Sequence, residues 1–250
     1  MNLTCTLIGL ALTLTGVTDD QYKEAIQKAL GGVAPDQMVN RYLEDIAFKN
    51  IEKRSERYEA LKTPEDIQAY QQNQYDYFVS ALGGFPERTP LNARKVGEGT
   101  GEGFRYEKII YESRPNFFVT AVLYLPVTDG PYPGVLVPCG HSNNGKAAET
   151  YQRASILLAR HGIAAFCYDP IGQGERRHYQ DASGKPNMST TVEHTIFDVG
   201  AILTGTSIAQ YRIWDGMRGI DYLQSRPDII ADKNGCTGNS GGGPLTSYIM

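Results

Sequence analysis

The spacing of apolar and polar positions changes character twice along the chain. Over residues 19–82 apolar residues recur at helical intervals on a heavily charged background, and Ile67, Tyr70, Tyr77, Phe78 and Ala81 mark the last helix of this stretch. Thr63-Pro64-Glu65-Asp66 predicts where that helix starts. Threonine caps free N–H groups, proline fits the first turn, and carboxylates face the positive helix end. Gly83-Gly84 predicts its stop. From Phe104 the period falls to two. Phe104, Tyr106 and Lys108 alternate before Ile109, Ile110 and Tyr111, and residues 117–125 are rich in Phe, Val, Leu and Tyr. Arg114-Pro115-Asn116 between them reads as a hairpin turn. Beyond residue 134 the strands become short continuous apolar runs, 134–139 and 163–168, as expected when both faces are covered. They alternate with helical stretches at 147–160 and 207–225, a short strand at 234–237 and a helix from Gly241. Residues 177–206 form an insertion with a short helix around 191–203.

Strand–helix alternation of this kind predicts an α/β class with a mostly parallel sheet and right-handed crossovers. Residues 85–101 contain Phe85-Pro86, Thr89-Pro90 and several glycines, and read as a connection. The expected organisation is a helical extension over 18–90 and an α/β domain over 91–250. Within residues 1–17 an apolar stretch precedes Asp19 and Asp20. It resembles the apolar core of a secretory signal peptide, so a secreted or periplasmic location is expected. The competing reading is a buried N-terminal helix of a cytoplasmic protein.

Composition narrows the function classes. A chain of 250 residues with 41% hydrophobic and 21% charged residues is an ordinary globular sequence. Its net charge is −4, and it has no basic tract, which argues against nucleic acid as a partner. After residue 17 no apolar run approaches the ~20 residues of a membrane span. Cys5 lies in the signal-like segment, whereas Cys139, Cys167 and Cys236 sit in or beside apolar strands. They show no metal-ligand spacing and read as core thiols. Neither a metal nor an organic cofactor is expected.

Gly238-Asn239-Ser240-Gly241-Gly242 is a G-x-S-x-G motif between a strand and a helix. Such a turn exposes a serine hydroxyl at the top of a sheet, with small residues on either side to avoid clashes. Ser240 is therefore the candidate nucleophile. The Gly241 N–H, at the start of the following helix, is a candidate oxyanion donor. Pro138-Cys139-Gly140-His141-Ser142 follows the 134–139 strand, where a second donor is needed. The backbone N–H of His141 is the choice, with Ser142 next. Its side chain reads as a polar loop group, because the base in this architecture follows the serine. Asp169-Pro170-Ile171-Gly172-Gln173-Gly174-Glu175-Arg176 forms a tight loop after the 163–168 strand, without a complete dinucleotide fingerprint. Glu175 and Arg176 read as structural ion-pair partners sooner than as substrate contacts.

In this order the three segments, with Tyr211-Arg212-Ile213-Trp214-Asp215-Gly216-Met217-Arg218, resemble the α/β-hydrolase superfamily. The likeness is to the bacterial acetyl xylan esterase and cephalosporin-C deacetylase group, with dienelactone hydrolase-like and prolyl oligopeptidase-like families nearby. It covers residues from about 104 to 250. The resemblance implies a Ser–Asp–His triad led by Ser240, with Asp215 and Arg218 fixing their helix and the 169–176 loop. His194, in the insertion, reads as a surface or capping residue, with a side chain facing the pocket as the alternative. It also implies that acid and histidine follow the nucleophile, yet the ten residues after Ser240 contain no Asp, Glu or His. The expectation is a fragment of a longer enzyme, with its C-terminal part missing and the acid and histidine beyond residue 250. The 234–237 strand would otherwise be an uncovered edge.

The implied activity is hydrolysis of a carboxylic ester, with a small-molecule or carbohydrate ester as partner. Removal of acetyl groups from carbohydrate is the leading case. The sequence assigns no oligomeric state. Two other readings stay open. A prolyl oligopeptidase-like peptidase would need a gate, and residues 18–90 are too short and helical for a propeller. An inactive hydrolase-like binding module would apply if the natural chain ended at Met250.

Overall fold

The computed structural model describes residues 18–250. The signal-like segment and Cys5 lie outside the described residues. The chain divides into two compact units, one ending at Asn73 and one covering Gln74–Met250. The first holds α1 (Asp19–Ala29), α2 (Met38–Glu59) and the beginning of α3 (Pro64–Ala81). Its helices are capped by their own sequence. The Gln21 N–H donates to the Thr18 hydroxyl while the Gln21 side chain accepts from the Thr18 N–H. At α3 the Asp66 N–H donates to the Thr63 hydroxyl (3.1 Å), and the Thr63 N–H donates to the Asp66 carboxylate (3.0 Å). Neither α1 nor α2 buries a residue, as the dense charge of this segment requires.

The second unit carries β1 (Arg94–Gly101), β2 (Phe104–Arg114), β3 (Phe117–Leu125) and β4 (Tyr132–Pro138). It continues through α4 (Glu149–Arg160), β5 (Ala164–Tyr168), α5 (Thr190–Leu203), α6 (Ile208–Gln224), β6 (Ile229–Cys236) and α7 (Gly242–Ile249). The sheet order is β1-β2-β3-β5-β4-β6. The β1/β2, β2/β3 and β3/β5 pairings are antiparallel, and β5/β4 and β4/β6 are parallel. All five residues of β5 are buried, which is why its sequence is an unbroken apolar run. The β2–β3 turn places Asn116 at φ +61°, a conformation Asn tolerates well.

Two cores flank the sheet. Leu123, Leu136 and Phe166 pack beneath Tyr222 and Leu223 of α6. Tyr124, Val137 and Cys167 pack beneath Tyr151 and Ala159 of α4. Each fully buried Leu or Phe contributes ~1.5–3 kcal/mol. Two buried polar ties fix α6 to β2: Trp214 Nε1 donates to the Ser113 carbonyl (2.7 Å), and the Tyr111 hydroxyl donates to the Asp215 carbonyl (2.8 Å). The Cys139 and Cys167 sulfurs lie 3.5 Å apart as free thiols. Their mutual hydrogen bond and burial push the Cys139 thiol far above its ordinary range.

Strand β1 corrects one expectation. Residues 94–101 lie in what reads as a connection, because three glycines and several charges erase any period-two pattern. Pairing with β2 makes it a strand, with Gly99 opposite Tyr106 and Gly101 opposite Phe104. A Cβ at Gly99 would stand 2.6–2.9 Å from the Tyr106 ring, and one at Gly101 would stand 2.3 Å from the Phe104 ring. The rings occupy the space the glycines leave. β6 is also longer than 234–237, starting at Ile229.

The end of α3 offers a test. Gly83 and Gly84 have φ of +83° and +78°, and their N–H groups donate to Ser80 and Val79. A Cβ at Gly84 meets nothing within 4 Å, whereas one at Gly83 would stand 2.3 Å from the Gly205 carbonyl oxygen. Gly84→Ala is expected to cost about 1 kcal/mol for the left-handed backbone alone. Gly83→Ala should cost at least about twice that, by urea denaturation, because the clash adds to the same strain.

Candidate active site

Ser240 stands between β6 and α7 with φ +52°. A non-glycine residue in this region stores about 1–2 kcal/mol of strain and keeps it only where neighbours dictate the backbone. The neighbours here are close. A Cβ at Gly238 would lie 2.3 Å from the Gly242 oxygen, and one at Gly242 would lie 2.2 Å from the Pro138 oxygen. The two flanking positions of the motif are thus small because strand end, helix start and the end of β4 share one volume. The turn is closed by the Gly242 N–H donating to the Asn239 carbonyl (2.9 Å) and the Gly243 N–H donating to the Ser240 carbonyl (2.8 Å). Ser240 itself is exposed.

The loop after β4 lies against this turn, since a Cβ at Gly140 would stand 2.9 Å from Ser240 Cβ. The Gly140 N–H is used internally, donating to the Tyr151 hydroxyl (2.6 Å). Among the described residues, the N–H groups of His141 and Gly241 have no protein acceptor. Gln173, fully buried, donates from Nε2 to the carbonyls of Gly140 (2.7 Å) and Ser142 (3.2 Å). That side chain joins the loop after β5 to the loop after β4.

The His141 ring packs on Gly241, where a Cβ would meet Cε1 and Nδ1 at 2.7 Å. Its Nε2 lies 3.1 Å from Nδ1 of His194, whose own Nε2 lies 2.7 Å from the Ile171 carbonyl oxygen. A carbonyl only accepts, so His194 carries its proton on Nε2. Neutral His194 then accepts at Nδ1, so His141 donates from Nε2 and keeps a lone pair on Nδ1, beside Gly241. Burial and the nearby Arg212 guanidinium pull His194 down to about 4, and the same two causes lower His141. Arg212 Nε and Nη2 are buried without a protein hydrogen-bond partner, and Nη2 lies 3.6 Å from where a Gly241 Cβ would stand. The turn therefore sits in a positive local field.

A buried charge network holds the 169–177 loop. The Asp169 carboxylate accepts from the Lys146 N–H (2.8 Å), the Thr120 hydroxyl (2.8 Å) and the Glu175 N–H (3.1 Å), and pairs with Lys146 Nζ. Arg176 Nη1 donates to Asp215 (2.7 Å), joining α6 to this loop. Arg177 pairs with Glu193 of α5 (2.9 Å). Arg176 is thus a structural ion-pair partner, and Glu175 pairs with Lys146 at 2.5 Å. Arg218 reaches Asp221 and the Thr89 carbonyl instead of the 169–176 loop. Among the described residues no group of three or more His, Cys, Asp or Glu side chains is placed to hold a metal ion.

Two residues at this site carry no role in the sequence. His194 reads as a surface residue but is 7% exposed. Its signal is present in the inward spacing of Thr190, His194 and Ala201 on α5, all buried. Arg212 lies in the 211–218 stretch of α6 that carries the resemblance, but nothing in that stretch assigns it a role.

The His194 ring makes stability depend on pH. Its ordinary value is 6.5 and its folded value is about 4. Above 6.5 both states are neutral at this ring. As pH falls from 6.5 towards about 4, the unfolded chain takes up a proton that the native ring refuses. This ring's contribution to stability should fall by about 3 kcal/mol across that window and level off below it. Urea denaturation at stepped pH checks this, and His194→Gln should flatten the slope in that window.

No family model matches the chain. It is 29% identical over 178 residues to the Bacillus subtilis (strain 168) protein named "Putative hydrolase YtaP", covering 65% of this chain and 54% of that one. The chain thus spans about half the length of the curated relative it matches. Among solved structures it is similar to one described as a putative acetyl xylan esterase from Bacteroides fragilis NCTC 9343. That match has a TM-score of 0.62 at 16% identity, over 76% of this chain and 52% of that one. Acetyl xylan esterase 1 from Thermoanaerobacterium sp. JW/SL YS485 gives a TM-score of 0.51 at 18% identity, over 70% and 52%. A glucuronoyl esterase from Solibacter usitatus gives 0.50 at 15%, over 75% and 56%.

Proposed function

We propose that this chain, which has the α/β-hydrolase fold, carries the nucleophile of a serine carboxylic ester hydrolase that removes acetyl groups from carbohydrate. One observation carries the proposal: Ser240 is exposed and held at φ +52° in a strand–turn–helix whose flanking glycines are needed for packing. The names of the similar structures, acetyl xylan esterases among them, support the substrate class. Ser240 Oγ attacks the ester carbonyl carbon. The oxyanion is held by the N–H groups of Gly241 and His141, each donor worth roughly 2.7–4 kcal/mol in such sites. The C–O bond to the alcohol breaks, the alcohol takes the serine proton, and an acetyl-enzyme remains. Water then releases acetate and restores the hydroxyl. Proton transfer falls to a histidine and acid, as the triad logic requires.

The test uses the protein expressed from its own gene. Hydrolysis of 4-nitrophenyl acetate is expected, together with covalent labelling by an organophosphonate, located by peptide mass spectrometry on Ser240. Labelling at another serine, or turnover of peptides in place of acetate esters, contradicts the proposal.

A further inference from the structure

A cavity of about 740 Å³ opens on the α4 face of the sheet, over β1, β2 and β3. That volume suits a small organic ligand. One part of its wall is aromatic. The Phe104 ring lies 6.5 Å from Tyr106 and 6.0 Å from Tyr124, centroid to centroid. These rings are placed before any ligand arrives, because Gly99 and Gly101 admit Tyr106 and Phe104 against the β1 backbone. Val96, Val122 and Ile156 extend this apolar part, and the remainder is polar. It includes Asn144, whose side chain has no protein hydrogen bond among the described residues, and Gln152, whose amide N–H donates to the Ala147 carbonyl (2.6 Å) and whose Oε1 is left to accept. Lys146 lines it too, but its ammonium is committed to Asp169 and Glu175.

We infer that this cavity binds a carbohydrate, at a place distinct from Ser240. A purely apolar guest would use the rings but leave the Asn144 and Gln152 amides to water, and an ion would make no use of the rings. A sugar presents C–H faces to aromatic rings and hydroxyl edges to amides, matching both parts of the wall. The sheet order gives the separation. Three strand spacings of about 4.8 Å lie between β3 and β6, so the β3 wall of the cavity stands about 14 Å across the sheet from the strand that leads into Ser240, while its Asn143 and Gly174 rim lies nearer. One loop serves both places, with His141 at the turn and residues 143–147 on the cavity wall. The ligand fitting both is an oligosaccharide, gripped some sugars away from the ester. In that respect the inference rests on the esterase proposal.

The test is a calorimetric titration of the protein with xylohexaose, a galacturonic acid hexamer and, as an apolar probe, laurate. At least one oligosaccharide should bind, and its affinity should fall about tenfold or more in Tyr106→Ala. Asn144→Ala, on an exposed loop, guards against misfolding of the first variant and should weaken the same sugar. The inference is overturned if no oligosaccharide binds at millimolar concentration, if both variants bind like the wild type, or if laurate alone occupies the cavity. Sugar binding without ester hydrolysis removes the esterase proposal and leaves the cavity assignment standing. Hydrolysis without sugar binding does the reverse.

Discussion

Ser240→Ala is expected to lower acetate-ester hydrolysis by at least about a thousandfold while leaving the fold intact. The substitution removes one oxygen and keeps the Cβ. The left-handed backbone is imposed by Gly238, Gly242 and Pro138, which do not change. Alanine at φ +52° carries much the same strain as serine, so the melting temperature should move little. What disappears is the hydroxyl proposed to form the acetyl-enzyme. Donors for the oxyanion remain, so a residual rate above the uncatalysed reaction is also expected. The decisive pair of measurements is kcat/KM and thermal melting on the same preparation. Full activity in a folded Ser240→Ala protein would falsify the nucleophile assignment.

Asp169→Ala should have the largest effect on stability, about 3–5 kcal/mol. The carboxylate is fully buried and serves four donors from three segments. Its loss leaves the Lys146 ammonium, 9% exposed, with the 69% exposed Glu175 carboxylate as its remaining partner. It also orphans the N–H groups of Lys146 and Glu175, which have no substitute acceptor at hand. Against a typical total of about 5–15 kcal/mol, that loss is a large share. Pairing Asp169→Leu with Lys146→Met should recover part of it, since a buried ammonium that has lost its buried partner costs more than an absent ion pair. Recovery stays partial because the two N–H groups remain unserved. Urea denaturation of the three proteins measures the order wild type, double variant, single variant.

How far the chain announces its own structure depends on how local each cause is. The α3 start was legible in Thr63-Pro64-Glu65-Asp66 because capping acts within one turn. β5 was legible because burial on both faces demands an unbroken apolar run. β1 was not, because its strand character comes from aromatic rings on β2 that fill the space over its glycines. The same divide runs through the site. A serine turn of this shape needs glycine at fixed neighbours, so five consecutive residues disclose it. The contact of His141 with His194 joins residues 53 positions apart and exists only once α5 is folded against the 169–177 loop. Arg212 is harder still, since its effect on both histidines is a matter of distance through space.

Gln173 has a practical consequence for anyone who re-engineers the molecule. One amide from the loop after β5 grips two carbonyls of the loop after β4, so the two loops behave as a single mechanical part. Transplanting either loop alone from a related protein would cut that grip and release the His141 N–H from its place beside the Ser240 turn, whatever the grafted side chains. Residues 140–147 and 169–177 are therefore best exchanged together and from the same parent, with their buried partners Thr120, Glu193 and Asp215 kept.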